Sequence, residues 1–154
     1  MIEIEIVQEQ GFLEILSLLN ETASDLQAKG NPQWEVPWPK QELFKDIQLG
    51  RIYAVTLKRQ LIGSFGLKEK SQIRDRALEP GSLYLYQLAL HPKFQGLGLG
   101  EKILERIKND FPIIYLDCWA GNEKLRRFYS LNGFEFLRDV PEEDFFVSVF
   151  RHSC

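Results

Sequence analysis

The chain opens with "IEIEIV", in which apolar and charged residues alternate at a period of two, the pattern of a strand with one buried face. The period then lengthens. Phe12, Ile15, Leu16, Leu19, Ala23 and Leu26 recur at helical spacing, and Gly30 followed by Pro32 closes that helix. "NPQWEVPWPK" carries three prolines and two tryptophans in ten residues. Proline fixes φ and removes a backbone donor, so a stiff loop is expected there, followed by a second helix from about Pro39 to Gln48 that ends at Gly50. "IYAVTL" and "LIGSFGLK" flank the polar "KRQ", which predicts a β-hairpin.

Farther on, "EKSQIRDRALEPG" is polar throughout and reads as a surface loop. "SLYLYQLAL" is apolar on both faces, as a strand covered on both sides at the centre of a sheet would be. After the glycines of "QGLGLG", Leu99, Ile103, Leu104, Ile107 and Phe111 make one buried helical stripe. "IIYLDCW" predicts another buried strand, and "NEKLRRFYSLNGF" a helix with Leu125, Phe128 and Tyr129 on one side, stopped by Gly133. "FEFL" and "FFVSVF" supply two last strands. No repeat or linker divides the chain, so the expectation is one α+β domain over residues 1–154, with a mixed sheet of about six or seven strands and about four helices.

Composition narrows the partners more than the fold. At 154 residues the chain can bury roughly 70% of the surface its unfolded form exposes. Its 44% hydrophobic and 27% charged residues are those of an ordinary globular protein. The acidic N-terminus lacks a long apolar run, and no segment reaches the roughly 18 apolar residues of a membrane span; a soluble, cytoplasmic protein without a membrane partner is expected. The net charge of −3 and the lack of a basic block argue against a nucleic-acid footprint. Cys118 and Cys154 form no C-x-x-C and read as reduced.

The chemistry concentrates in "HPKFQGLGLG". A nucleotide-binding P-loop fails, because Glu101 stands where its second glycine belongs. A dinucleotide fingerprint needs G-x-G-x-x-G, and the spacing here is G-x-G-x-G in mid-chain. The remaining phosphate reading is a strand that runs through a glycine turn into a helix, whose first N–H groups meet a pyrophosphate. Gly96, Gly98 and Gly100 serve that purpose, or a tight turn alone.

"LYLYQLALHPKFQGLGLGEKILERI", followed by "YLDCWAGNEKLRRFYSLNGFEFL", resembles the acetyl-CoA-binding core of the GNAT superfamily of N-acetyltransferases. Gln95, Gly98 and Gly100 match its Q/R-x-x-G-x-G/A signature; Asn122, Leu125, Phe128, Tyr129, Gly133 and Phe134 match the second motif. The resemblance implies a GNAT-like fold, acetyl-CoA as cofactor, and a pantetheine arm laid along the backbone of Leu88, Ala89 and Leu90. It places the pyrophosphate on the amides of Gln95, Gly96, Leu97, Gly98, Leu99, Gly100 and Glu101, with Lys93 nearby. Tyr129 matches the position that protonates the departing thiolate, Asn122 the one that touches the pantetheine arm, and the Leu88 N–H is the oxyanion donor.

The base is left open by the sequence. The strand before the glycines offers Tyr84, Tyr86 and Gln87 but no carboxylate; Asp117 is the nearest acid and Glu35 a weaker choice. Trp34, Trp38 and Gln87 are the acceptor-side candidates, the tryptophans either walling a pocket or plugging the core. Cys118 has no evident histidine partner, and His91 reads as structural. The resulting expectation is acetyl transfer to a primary amine of a small molecule, without a metal. The alternatives are a peptide or protein N-terminal acetyltransferase and a non-catalytic acyl-CoA-binding sensor, with a homodimer through "FFVSVF" as an open question.

Overall fold

The alternating N-terminal segment forms β1 (Ile2–Ile6), and the two apolar runs form β2 (Ile52–Leu57) and β3 (Gln60–Lys68). All pair antiparallel, β1 with β2 from Ile2↔Leu57 to Ile6↔Tyr53 and β2 with β3 from Ile52↔Gly66 to Leu57↔Gln60. The hairpin turn uses no glycine. Lys58 and Arg59 themselves adopt φ of 50° and 67°, the left-handed pair that a two-residue turn between twisted strands demands. This is a computed structural model, and it describes residues 1–31 and 34–154. Pro32 and Gln33, and with them the expected proline stop after Gly30, lie outside the described residues.

Helix α1 (Phe12–Ala28) buries Ile15, Leu16, Leu18, Leu19 and Ala23, the expected stripe widened by Leu18. Gly30 follows at φ 87°, a conformation that a side chain resists. Helix α2 (Lys40–Gln48) buries Leu43 and Ile47, and Asp46 at its inner face meets the Arg51 guanidinium at 3.1 Å.

The central sheet has seven strands in the order β1, β2, β3, β6 (Leu83–Leu90), β7 (Ile113–Trp119), β9 (Phe145–Ser153) and β8 (Glu135–Glu142). By its internal contacts the chain falls into two units: residues 1–67 with 87–103, and residues 68–86 with 104–154. In the first unit the second half of β6 (Leu83–Leu90) lies beside β3. The His91 N–H donates to the Ile62 carbonyl at 2.8 Å. A Cβ on Gly63 would sit 2.7 Å from the Ala89 carbonyl oxygen, so this approach requires glycine.

In the second unit β6 runs parallel to β7 (Ile113–Trp119) with the register Leu83↔Ile114 and Tyr84↔Tyr115. β9 (Phe145–Ser153) pairs antiparallel with β7 and with β8 (Glu135–Glu142). "FFVSVF" therefore lies inside the sheet, with hydrogen-bonded neighbours on both sides. Helix α3 (Leu99–Asp110) buries Ile103, Leu104 and Ile107, and α4 (Glu123–Leu131) buries Tyr129.

The polar segment after β3 departs from the expected loop. It folds into a short hairpin, β4 (Gln72–Ile73) and β5 (Arg76–Ala77). Ile73 inserts among Tyr84, Tyr115, Val140, Val147 and Val149, and ion pairs Arg74–Glu142 and Arg151–Glu79 hold the segment down. One buried isoleucine among polar residues creates no periodicity, which is why the pattern concealed it.

Candidate active site

Between β6 and α3 the chain makes one 3-10 turn, Pro92–Phe94, capped by the His91 ring, which accepts from the Lys93 N–H at 3.2 Å. The other ring nitrogen of His91 pairs with Glu21, so His91 has the structural role its "HP" context suggested. The Gln95 side-chain amide then donates to the Leu90 carbonyl at 2.8 Å, tying the start of the turn back to the strand.

Gly96 and Gly98 follow, both at φ 78°, with open space where a Cβ would stand. Here glycine answers a demand of backbone conformation, since crowding is absent. Gly100 differs: it lies within the first turn of α3. The first N–H groups of a helix have no partner inside it and carry the positive end of its dipole. A turn exposed at Gln95, Gly96, Leu97 and Gly98 thus leads directly into the backbone donors of a 12-residue helix. An arrangement of this kind can receive an anion on backbone amides. Glu101 in that first turn can contribute its N–H, while its carboxylate competes with an anion for the same dipole. Lys93 is exposed at the entry to the turn.

Upstream, β6 contains a feature the sequence did not announce. Gln87 takes φ 54° in the middle of the strand. A non-glycine residue in the left-handed region is costly and re-aims the backbone groups that follow it. Those groups belong to Leu88, Ala89 and Leu90, of which Ala89 is buried and the other two are half-buried. No composition signal marks such a residue, because glutamine has no special tolerance for positive φ.

The second unit supplies side-chain chemistry. The Tyr84 O–H donates to Asp117 Oδ1 at 3.0 Å. Burial first, and the Asp117 charge second, raise the Tyr84 phenol well above its ordinary pKa, so it stays protonated and stays a donor. Its ring stacks on Tyr86 with centroids 5.8 Å apart and an interplanar angle of 5°. Lys70 and Lys68 place their ammonium groups 4.5 Å from the Tyr84 and Tyr86 ring centres.

Tyr129 is buried at 5% exposure among Phe128, Phe134 and Phe150. Burial raises its phenol strongly, with smaller contributions from Cys118 and Asp117, and it too remains protonated. Cys118 is pushed up to about 12 by burial and then by Asp117, which makes it an inert thiol at neutral pH. Asn122 caps α4: its side-chain oxygen accepts from the Leu125 N–H at 3.0 Å. That oxygen is committed to the helix, leaving the side-chain NH₂ as the atom that could reach a cofactor.

The two tryptophans separate. Trp38 is 7% exposed and its backbone N–H donates to Asn20 Oδ1 at 2.7 Å, whereas Trp34 is half-buried and meets Trp38 edge-on at 5.2 Å. Trp38 is thus mostly plug, and Trp34 keeps accessible aromatic surface. Glu35 between them is exposed. No helix among the described residues is long and apolar enough to cross a membrane.

Comparison with known proteins agrees with this geometry. The protein of known structure from Streptococcus agalactiae 2603 described as a GNAT family acetyltransferase shares the fold at a TM-score of 0.86, with 16% identity over 99% of this chain and 95% of that one. The PaiA N-acetyltransferase of Thermoplasma acidophilum, solved in complex with coenzyme A, matches at a TM-score of 0.71, with 17% identity over 100% and 99% of the two chains. At the level of sequence, the "Uncharacterized N-acetyltransferase YesJ" of Bacillus subtilis (strain 168) is 30% identical over 136 residues, 80% of this chain and 76% of that protein. The model of the acetyltransferase (GNAT) family matches residues 12–134, which contain the glycine turn, Gln87 and Tyr129. The chain belongs to the GNAT acetyltransferase family.

Proposed function

We propose that the protein is an acetyl-CoA-dependent N-acetyltransferase acting on a primary amine of a small molecule. The observation that carries this reading is the turn at the head of α3, where Gly96 and Gly98 both stand at φ 78° and lead into exposed helix-terminal amides. The residues present fit the cofactor: the cradle is anionophilic without needing clustered lysines, which reconciles a polyanionic ligand with a net charge of −3. In this reading the amides from Gln95 to Glu101 hold the pyrophosphate, the backbone of Leu88, Ala89 and Leu90 holds the pantetheine arm, and Asn122 adds a side-chain contact. The coenzyme A complex of the PaiA relative, which has the same fold, supports the assignment. When bound, acetyl-CoA supplies the acetyl group as an activated thioester.

The chain's own groups then have three tasks. An alkyl ammonium has a pKa of about 10, so it must lose a proton before it can attack. Asp117 is the carboxylate assigned to receive that proton. The Leu88 N–H, directly after Gln87 at its φ of 54°, is the donor for the developing oxyanion, as a preorganised amide is in other acyl transfers. Tyr129, kept as a phenol by burial, donates its hydrogen to the departing thiolate. Trp34 and Gln87 face the acceptor, with Trp38 as the packed base of that loop; a loop stiffened by Pro37 and Pro39 suits a closed pocket better than an open peptide groove.

The test is release of CoA thiol from acetyl-CoA by purified protein, with small amines and polyamines in one pool and short peptides with free N-termini in another. Release with the first pool alone is the expected outcome. Release with peptides alone would replace the acceptor class by protein N-termini, and silence in both with retained CoA binding would indicate a sensor.

A further inference from the structure

We propose that Tyr84 is the residue that keeps Asp117 ionised and aimed, so that the Tyr84–Asp117 pair, and not Asp117 alone, receives the acceptor's proton. This rests on the reading of Asp117 given above. The problem that Tyr84 solves is burial. Asp117 lies on β7 on the same face as Tyr115 and opposite Val149, which are 5% and 0% exposed, and is itself only partly exposed. Desolvation favours the neutral carboxyl, which could accept no proton. A hydrogen bond donated to the charged form opposes this, and Tyr84 makes one at 3.0 Å.

Tyr84 is well held for the task. It is 9% exposed, and its position on β6 is set by the register Tyr84↔Tyr115. Tyr86 stacks against its ring and the Lys70 ammonium lies above it. The groups facing the pair come from several elements. Tyr84 feels Asp117 from β7, Lys70 from the segment after β3, Glu142 from β8 and Tyr129 from α4. Asp117 acts in turn on the Cys118 thiol and the Tyr129 phenol, and Arg126 of α4 and Asp139 of β8 also act on Cys118. Lys68 covers the adjacent Tyr86. The Tyr84 hydroxyl donates directly to an Asp117 oxygen, so removing it acts on the carboxylate itself. The step itself is a proton transfer: an N–H bond of the acceptor ammonium breaks, an O–H bond forms on Asp117, and the electron pair stays on nitrogen for attack.

Tyr84→Phe removes the hydroxyl and keeps the ring, its stack and the Lys70 contact. Two readouts are needed: the pH dependence of kcat/KM, and the carbon-13 titration of the Asp117 carboxyl in wild type and variant. Both the acidic limb of the profile and the carboxyl midpoint are expected to move up by about one to two pH units, the size of a hydrogen bond to a charged group. The loss in kcat/KM is then greatest at the acidic end and shrinks as pH rises. An unmoved midpoint, or a loss uniform in pH, overturns the proposal. Asp117→Asn separates it from the reading beneath: a variant with wild-type turnover and limb removes Asp117 as proton acceptor and the pair's role with it. If the wild type turns over no amine at all, the proposed function falls, while the carboxyl titration still decides whether Tyr84 holds Asp117 ionised.

Discussion

From Gln95 to Gly100 the chain presents backbone amides, whereas Asp117 is met by a side chain, the Tyr84 hydroxyl at 3.0 Å. At the turn, two glycines at φ 78° and the head of α3 present N–H groups that do not titrate and owe little to the neighbouring side chains. In the second unit, burial raises the pKa of Tyr84, Cys118 and Tyr129, and the Asp117 charge raises each further. Backbone amides of the first kind can hold an anion with the same geometry across the physiological pH range. The second can move protons, because its members can change charge and its environment decides which of them do. An acyl transfer from a phosphorylated carrier calls for both, and the chain keeps them on separate stretches of sequence.

The largest expected effect comes from the side-chain end. Tyr129→Phe leaves the aromatic cluster with Phe134 and Phe150 in place and removes one hydroxyl. If that hydroxyl protonates the thiolate, kcat should fall by roughly 10²-fold or more, the usual contribution of a positioned acid. The dissociation constant for CoA, measured by calorimetry, should stay within about twofold. A fall in affinity with kcat preserved would move Tyr129 from the chemistry to cofactor packing and blur the division between the two ends.

The backbone end should fail in the opposite way. Gly98→Ala adds a Cβ into open space, so no clash results, but φ 78° costs an L-residue about 1–2 kcal/mol. The turn is then expected to relax when unliganded, and CoA affinity to drop by about 5- to 30-fold, with kcat at saturating cofactor little changed. Gly100→Ala is the control: Gly100 lies inside α3, where alanine is favoured over glycine. Equal losses at the two positions would mean that close approach to the ligand, and not left-handed geometry, selects glycine there.

The same contrast explains what could be read in advance. Gly96 and Gly98 advertise themselves because few other residues accept their φ, and the hydrophobic stripes of α1 and α3 repeat often enough to be counted. Gln87 has an equally unusual φ of 54° yet looks ordinary, since glutamine in a strand carries no local mark of it. Tyr84 and Asp117 are 33 residues apart on parallel strands, and no local pattern relates them. The β4–β5 hairpin rests on Ile73 and two ion pairs formed by residues far along the chain. Trp34 and Trp38 share a segment and a composition, and only packing separates the buried one from the half-exposed one.

The two cysteines give the smallest effect and the sharpest check on how dry the side-chain end is. Cys118 is 2% exposed with its thiol pushed up to about 12, while Cys154 is exposed near the chain end. Because the thiolate is the reactive form, iodoacetamide at pH 8 should add once to the native protein, at Cys154, and twice after denaturation. The sign of the accompanying stability effect follows from the same shift. An unfolded Cys118 ionises near 9.0, the folded one near 12. Its contribution to stability is therefore full below pH 9 and is lost as pH climbs toward 12. Wild type and Cys118→Ala should accordingly converge or cross in stability across that interval, with little difference in slope below it. A rapid second adduct on native protein at pH 8 would show that water reaches the face of β7 that carries Cys118, and would weaken the case that burial keeps Cys118 and Tyr129 protonated.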